Sequence, residues 1–173
     1  LLEIGYQTRP DLFAMQISRP ELLYDTVVEV AERLDAAGRV LTALELSRAR
    51  ADMEVAHAAG VRSIAIALLH AYLNPIHEQQ LAQLAAELGF SQVSTSHEVS
   101  GLAKLVGRGD TTVVDAYLSP ILRRYVDQVA GALNIGGNCK ALMFMQSNGG
   151  LTDAQKFQGK DAILSGPAGG IVG

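Results

Sequence analysis

The four histidines of this sequence are its first candidates for chemistry. His57, His70, His77 and His97 are spread along the chain, and none forms the His-x-x-x-His pair that places two ring nitrogens on one helix face. His70 is the best candidate because it ends the apolar run IAIALL, and ligands of α/β sheets bind at the carboxyl ends of strands. A lone histidine is more often a satisfied boundary residue, so we expect no metal site.

Polar residues and glycines follow a second predicted strand, ALMFM. They are Ser147, Asn148, Gly149 and Gly150. Such a stretch at the end of a buried strand can offer side-chain and backbone donors to a ligand. The same residue types are common in a plain turn, and both interpretations stay open here. There is no Gly-x-Ser-x-Gly nucleophile motif and no close carboxylate pair at a strand end, so the catalytic residues stay unknown.

The closing stretch LSGPAGGIVG is rich in glycine, with Gly166, Gly169 and Gly170. It lacks the Lys-Ser or Lys-Thr pair of a Walker loop and the Gly-x-Gly-x-x-Gly spacing of a dinucleotide site. Pro167 stands near the start of the expected helix, and no polar side chain follows Ser165. These features favour a buried helix packed through small residues over a loop that holds phosphate.

Composition limits the classes of partner. Hydrophobic residues make up 49% of the 173 residues, and the net charge is −4, with 14 basic residues scattered along the chain. We therefore expect neither nucleic acid nor a membrane as a partner. No apolar run approaches the roughly 18 residues of a membrane span. The single cysteine, Cys139, fits a reducing compartment, and the sequence predicts a cytoplasmic protein.

The chain is predicted to begin with an irregular connector and a hairpin. Residues 1–17 form the connector, in which an Arg-Pro pair favours extended geometry. Alternation at Val28 and Val30 predicts a strand that turns at Gly38 and returns along Arg39–Leu41.

The next segment alternates helices with apolar strands. A helix is predicted over about 43–59, a buried strand over 61–70, a second helix from Asn74 to Gly89, and a strand in FSQVSTS. This order is typical of a layered α/β unit with right-handed crossovers. The apolar stripe predicted for the first helix consists of Leu44, Ala51, Val55 and Ala58.

The pattern in the last third of the sequence predicts further strands and helices that belong to one parallel sheet. A polar loop over 107–112 precedes a long helix capped by Asp110 or Thr111, with Asp115 on its solvated face. ALMFM is a buried strand, 152–158 a short helix, and DAIL a strand that leads into the closing helix. The buried face predicted for the long helix consists of Val114, Leu118, Ile121, Leu122, Tyr125, Val129 and Leu133.

Five stretches in order resemble the hydantoinase A and 5-oxoprolinase family. They are RPELLYDTVVEVAERLDAAGRVL, LLHAYLNPIHEQQL, TTVVDAYLSPILRRYV, MQSNGG and SGPAGGIVG. The resemblance extends from about Ile4 to Gly173, and five ordered matches are more specific than any one alone. The family includes ATP-dependent hydantoinases, 5-oxoprolinases and related acetone and acetophenone carboxylase subunits.

The resemblance implies an α/β fold of layered mixed and parallel sheets, as in the actin, Hsp70 and sugar-kinase superfamily. The chain would comprise a connector (1–17), an inserted α/β subdomain with a hairpin and βαβ units (18–100), and the later half of the first ribonuclease-H-like ATPase domain (101–173). That domain part would end in a connecting helix. The residues that let this helix approach a partner helix at the hinge would be Ser165, Gly166, Gly169 and Gly170.

The resemblance also implies cofactors and partners. The intact protein would use ATP and Mg²⁺ to open a small cyclic amide, and would pair with a second, hydantoinase B type subunit. The two phosphate loops of the family are expected before Leu1 and after Gly173. We therefore expect this sequence to be an internal fragment that binds no cofactor and is inactive alone.

Two departures leave the subfamily open. Ser165 stands where sugar kinases carry a catalytic carboxylate, which argues against a kinase-type base. The stretch LAKLVGRGDTTV lacks the acidic and aromatic residues that often precede the Thr-Thr helix of the family. An alternative function is a subunit-assembly module of an acetone or acetophenone carboxylase type complex, suggested by the high apolar fraction. A dinucleotide-binding half is disfavoured by the glycine spacing.

Overall fold

Small sheets and helices alternate along the computed structural model, which describes residues 13, 15, 16, 21–133 and 141–173. The predicted α/β class with mixed sheets is confirmed. Most of the predicted connector and Cys139 lie outside the described residues. The elements in chain order are β1 (Arg33–Leu34), β2 (Val40–Thr42), α1 (Leu46–Ala58), β3 (Ser63–Ile66), α2 (Ile76–Glu87), β4 (Gln92–Thr95), α3 (Ser96–Val99), α4 (Leu105–Ala132), β5 (Met143–Met145), β6 (Leu151–Asp153), a 3₁₀ turn (Ala154–Lys156), α5 (Gly159–Ala162) and α6 (Ser165–Val172).

The predicted hairpin is confirmed but is shorter than expected. β1 pairs antiparallel with β2, with Leu34 opposite Val40. Gly38 has a φ of 78°, a left-handed conformation that glycine adopts without steric cost. The prediction that a strand begins at Val28 is wrong, because the returning strand has three residues and offers no partner so far from the turn.

The predicted helix, strand, helix, strand unit is confirmed. β3 and β4 are parallel neighbours, joined by a crossover that contains α2. The stripe predicted for α1 is wrong except at Leu44, which packs against the core: Val55 is exposed, whereas Ala49 and Met53 are buried. Apolar residues of α1 lie on more than one side of the helix, so their spacing alone does not identify the face that meets α2. The core of the unit consists of Ala49, Met53, Ile66, Leu81, Leu84, Ala85 and Phe90.

Helix α4 differs most from its prediction. It begins at Leu105, so the predicted loop over 107–112 is helical and the predicted caps lie within the helix. Its N-terminal half packs on β3 and β4. The predicted apolar face is wrong, since Ile121 and Tyr125 are 50% and 55% exposed. The buried face of α4 is largely polar because it packs against polar side chains of the sheet. The buried residues of α4 are Arg108, Gly109, Thr112, Asp115, Ala116, Ser119 and Val126.

The C-terminal elements do not form the predicted parallel sheet. β5 and β6 form an antiparallel hairpin, because the turn after β5 brings the next residues back alongside it. The predicted strand in DAIL is wrong: Asp161 and Ala162 end α5, and Ile163 and Leu164 form the turn before α6. The predicted closing helix is confirmed as α6, but the prediction that it is buried is wrong within the described residues. Its Ile171 is 86% exposed and its Val172 62% exposed.

Candidate functional site

The turn between β5 and β6 contains the residues predicted to face a ligand. Gln146 donates its N–H to the carbonyl of Gly150 over 2.7 Å, and Gly149, at a φ of 83°, donates its N–H back to Gln146. The side-chain Oδ1 of Asn148 accepts the N–H of Gly150 at 2.8 Å. The stretch is therefore a hydrogen-bonded turn, and these N–H groups are engaged within it.

Ser147 ties this turn to the segment that follows it. Its backbone N–H donates to the carbonyl oxygen of Asp161 at 2.7 Å, and its hydroxyl donates to the same oxygen at 2.6 Å. The hydroxyl also accepts the N–H of Leu164 at 3.0 Å. The Ser147 side chain thus joins the turn to α5 and to the residue before α6.

The turn predicted to face a ligand and the predicted hinge helix lie against each other. A Cβ atom on Gly149 would lie 3.2 Å from Cγ2 of Val172, and one on Gly169 would lie 3.8 Å from Cγ of Met145. Gly166 and Gly170 have no neighbour within 4 Å of a Cβ position in the described part of the chain. The structure therefore brings the two predicted groups of residues together and leaves one glycine face of α6 open.

The turn does not fit the phosphates of ATP as a cradle. A phosphate nest needs several free N–H groups, and those of Ser147, Gly149 and Gly150 already have protein acceptors. Asn148 is exposed, and its side-chain Nδ2 has no acceptor among the described residues. In the same residues, no group of three or more His, Cys, Asp or Glu side chains could hold a metal ion. The turn can offer a ligand the Asn148 amide, and we assign no step through ATP or Mg²⁺ to it.

A second group of polar residues is wholly buried beneath α4. Glu78 and Arg108 are each 0% exposed. Ser96 bridges them: its Oγ donates to Glu78 Oε1 at 2.5 Å and accepts from Arg108 Nε at 2.8 Å. The guanidinium also donates to the backbone carbonyls of Leu68 and Leu102. This network fastens α4 to α2 and to the segments that follow β3 and β4.

Arg108 stays charged although burial lowers its pKa. Desolvation lowers the pKa of its guanidinium, while electrostatic attraction to Glu78 and to Tyr72 raises it. The guanidinium carbon lies 5.5 Å from the centre of the Tyr72 ring. An arginine stays charged even after a substantial downward shift, so the network holds a permanent positive charge.

The histidines do not converge. Nδ1 of His77 lies 2.7 Å from Glu32, and Nδ1 of His97 lies 2.7 Å from Glu78. His57 contacts the ring of Phe90 edge to face. Nδ1 of His70, the best ligand candidate from the sequence, is buried without a hydrogen-bond partner among the described residues.

The buried polar face of α4 is not among the features predicted from the sequence. The sequence predicts Arg108 in a loop and Asp115 on a solvated face, yet both side chains are buried. A signal was present in the spacing: polar residues at positions 108, 112, 115 and 119 recur as one helical stripe. That stripe could have identified this face as one that meets other polar groups.

The fold and this site define an α/β protein similar to ATP-driven enzymes of known structure. The ATP-dependent caprolactamase from Pseudomonas jessenii matches with a TM-score of 0.80 and 28% identity, over 96% of this chain and 25% of that one. Nucleotide-free acetone carboxylase matches with a TM-score of 0.73 and 26% identity, over 82% of this chain and 21% of that one.

Family models name the family more closely. Residues 1–89 match the hydantoinase/oxoprolinase N-terminal region, and residues 108–173 match the hydantoinase/oxoprolinase model. The chain belongs to the hydantoinase/oxoprolinase family, as the resemblance of its five stretches predicts. The 5-oxoprolinase of Saccharomyces cerevisiae is 39% identical over 99% of this chain, and the chain spans 15% of the length of that relative. Among the described residues, no helix has the length and apolar character that crossing a bilayer requires.

Proposed function

We propose that the complete protein carrying this chain opens a cyclic amide with consumption of ATP. The single observation that carries the proposal is the whole-chain likeness to an ATP-dependent caprolactamase, supported by the yeast 5-oxoprolinase. An amide carbonyl is a poor electrophile, and transfer of the terminal phosphoryl group of ATP to its oxygen, with release of ADP, would activate the carbon. Addition of one water would then break the ring C–N bond, and a second water would hydrolyse the resulting acyl phosphate to a carboxylate and phosphate. This part of the chain acts beside that chemistry, and alone it is inactive.

Within this proposal, α6 connects two lobes of an actin-like ATPase that binds ATP and Mg²⁺. An apolar helix that exposes Ile171 and Val172 needs a covering surface in a folded protein, and Gly166 and Gly170 leave room for a close backbone approach. Asn148, in the turn against α6, presents its amide to the ligand. The side chain would respond to closure of the lobes because Gly149 lies against Val172.

The proposed domain division is an inserted subdomain over 18–100 and the later half of the first ATPase domain over 101–173. Because α4 packs on β3 and β4, the two parts would move as one body. A second subunit of the hydantoinase B type would complete the enzyme, and the compartment would be the cytoplasm.

A second candidate function is assembly within a carboxylase-type complex. The likeness to acetone carboxylase favours it, as does the apolar stripe that α4 leaves exposed. Tyr117, Ile121 and Tyr125 are spaced four residues apart on that helix and are at least 50% exposed. Aromatic residues are enriched at protein interfaces, so this stripe suits a second subunit.

The assay that separates these functions uses the complete protein and any co-purifying subunit. Phosphate release from ATP is measured with 5-oxoproline, a hydantoin or caprolactam, and separately with acetone plus bicarbonate. We expect a cyclic amide to stimulate phosphate release, with ring opening in the same samples. Stimulation by acetone and bicarbonate alone would support the carboxylase alternative, and indifference to every cyclic amide would contradict the proposal.

A further inference from the structure

Asp115 of α4 is a buried acid with directional partners. It is 3% exposed. Its Oδ2 accepts the Ser94 hydroxyl at 2.7 Å, and its Oδ1 accepts the Ser119 hydroxyl at 3.2 Å and the Lys160 N–H at 3.0 Å. The ammonium group of Lys160 instead donates to the carbonyl of Val99 at 2.8 Å. Burying a carboxyl group costs free energy unless hydrogen bonds compensate for it. The three donors around Asp115 therefore explain its burial better than packing alone does.

These acceptors cap α5 from outside that helix. The residue before α5, Gln158, makes no side-chain cap. Asp115 receives the N–H of Lys160, and the Ser119 hydroxyl receives the N–H of Gly159 at 3.0 Å. A Cβ atom on Gly159 would lie 2.8 Å from the backbone nitrogen of Ser119. Helix α5 is therefore held against α4 at a contact that admits only glycine.

The other end of α5 holds the Ser147–Gly150 turn. The Asp161 carbonyl accepts both the N–H and the hydroxyl of Ser147. The same hydroxyl accepts the N–H of Leu164, next to α6. A continuous path of hydrogen bonds thus leads from Asp115 through the single turn of α5 to Ser147.

We propose that Asp115 is a positioning residue that sets the Ser147–Gly150 turn and the start of α6 through α5. The effect on activity rests on the proposed function, whereas the effect on the turn does not. Asp115→Ala removes all three acceptor interactions. Asp115→Asn keeps an Oδ1 acceptor for Lys160 and is the conservative variant. Asp110→Ala is the matched control, because Asp110 is an exposed acid on the same helix.

Hydrogen exchange of the complete protein, resolved by mass spectrometry, measures the turn directly. In Asp115→Ala we expect exchange over 146–164 to become about tenfold faster, while α1 keeps its wild-type rate. Asp115→Asn should retain most of the wild-type protection over 146–164, and Asp110→Ala should retain all of it. Ser147→Ala should loosen 146–150 but leave the Lys160 N–H protected, since it breaks the path beyond α5.

Two results would overturn the proposal. One is unchanged exchange over 146–164 in Asp115→Ala, and the other is equal acceleration in α1, which marks general destabilisation. If the complete protein shows ATP-dependent ring opening, kcat should fall about tenfold in Asp115→Ala and recover in Asp115→Asn. If it shows none, the proposed function fails while the exchange result still decides the role of Asp115.

Discussion

Arg108 donates from Nε to the hydroxyl of Ser96 over 2.8 Å, and both side chains are wholly buried. The Ser96 hydroxyl in turn donates to Glu78, so α4, α3 and α2 meet at one charged network. Replacing such a network by apolar residues can be neutral, but removing one member leaves an uncompensated charge in the interior. The junction between α4 and the β3–β4 unit therefore depends on Arg108.

Substitution of Arg108 should open this junction. Arg108→Ala leaves the carbonyls of Leu68 and Leu102 without their donor and Glu78 without its positive neighbour, and we expect a loss of about 3–5 kcal/mol of local stability. Arg108→Lys keeps the charge but not the planar fork, and should be intermediate. Exchange rates in α2 and α4 measure the opening. Arg124→Ala, an exposed control on α4, should change neither, and an equal effect there would contradict the prediction.

The hairpin between β1 and β2 should lose support in acid. The pKa of Asp35 is lowered, chiefly because its carboxylate accepts the N–H and side chain of Arg39 and the N–H of Ala37. The folded value lies below the unfolded one, so the stabilisation is complete above about pH 3.9 and is lost as the pH falls through the folded value. After correction for intrinsic exchange rates, the amides of 33–42 should be better protected in wild type than in Asp35→Asn at pH 7. At pH 2 the two proteins should be equally protected. A persistent advantage at pH 2 would show that the carboxylate charge is irrelevant.

Gly159→Ala should separate α5 from α4. The new methyl group would lie 2.8 Å from the Ser119 nitrogen and 2.9 Å from Cβ of Leu118, so the helices must shift. We expect a loss of about 1–3 kcal/mol, seen as faster exchange over 146–164. Gly107→Ala is the matched control, because a Cβ atom there meets nothing within 4 Å, and it should be neutral or stabilising. Equal behaviour of the two variants would refute this close contact.

Local signals in the sequence predict the β3–α2–β4 unit well. The side chain of Asn74 accepts the N–H of Ile76, the first residue of α2, and Gly89, at a φ of 86°, follows the end of that helix, so capping chemistry and apolar spacing agree. They fail for α4, where Arg108 and Asp115 are buried by partners far away in the sequence. For Ser147–Gly150 the sequence leaves a ligand loop and a plain turn both open, and the contact of this turn with α6 depends on α5, part of which the sequence predicts as a strand. Pairing across distant elements is the information that residue spacing lacks.

The Asn148 side chain can be tested without disturbing its turn. Asn148→Asp keeps the Oδ1 acceptor for the Gly150 N–H but replaces the free amide donor with a carboxylate. If that amide donates to the ligand, Asn148→Asp should raise the KM of the cyclic amide or ATP about tenfold or more and leave the melting temperature unchanged. An unchanged KM for both would remove Asn148 from the site, whatever the behaviour of Asn148→Ala.

Hydrogen exchange of α6 in the complete protein tests most directly whether this helix connects two lobes. Eight residues of exposed helix are unstable in isolation, and Ile171 and Val172 are largely exposed to solvent among the described residues. We predict that the amides of 168–173 exchange at least a hundredfold more slowly than in an unstructured chain, and that ATP changes this rate. If these amides exchange at the rate of an unstructured chain and ATP does not change that rate, α6 does not connect two lobes of an ATPase.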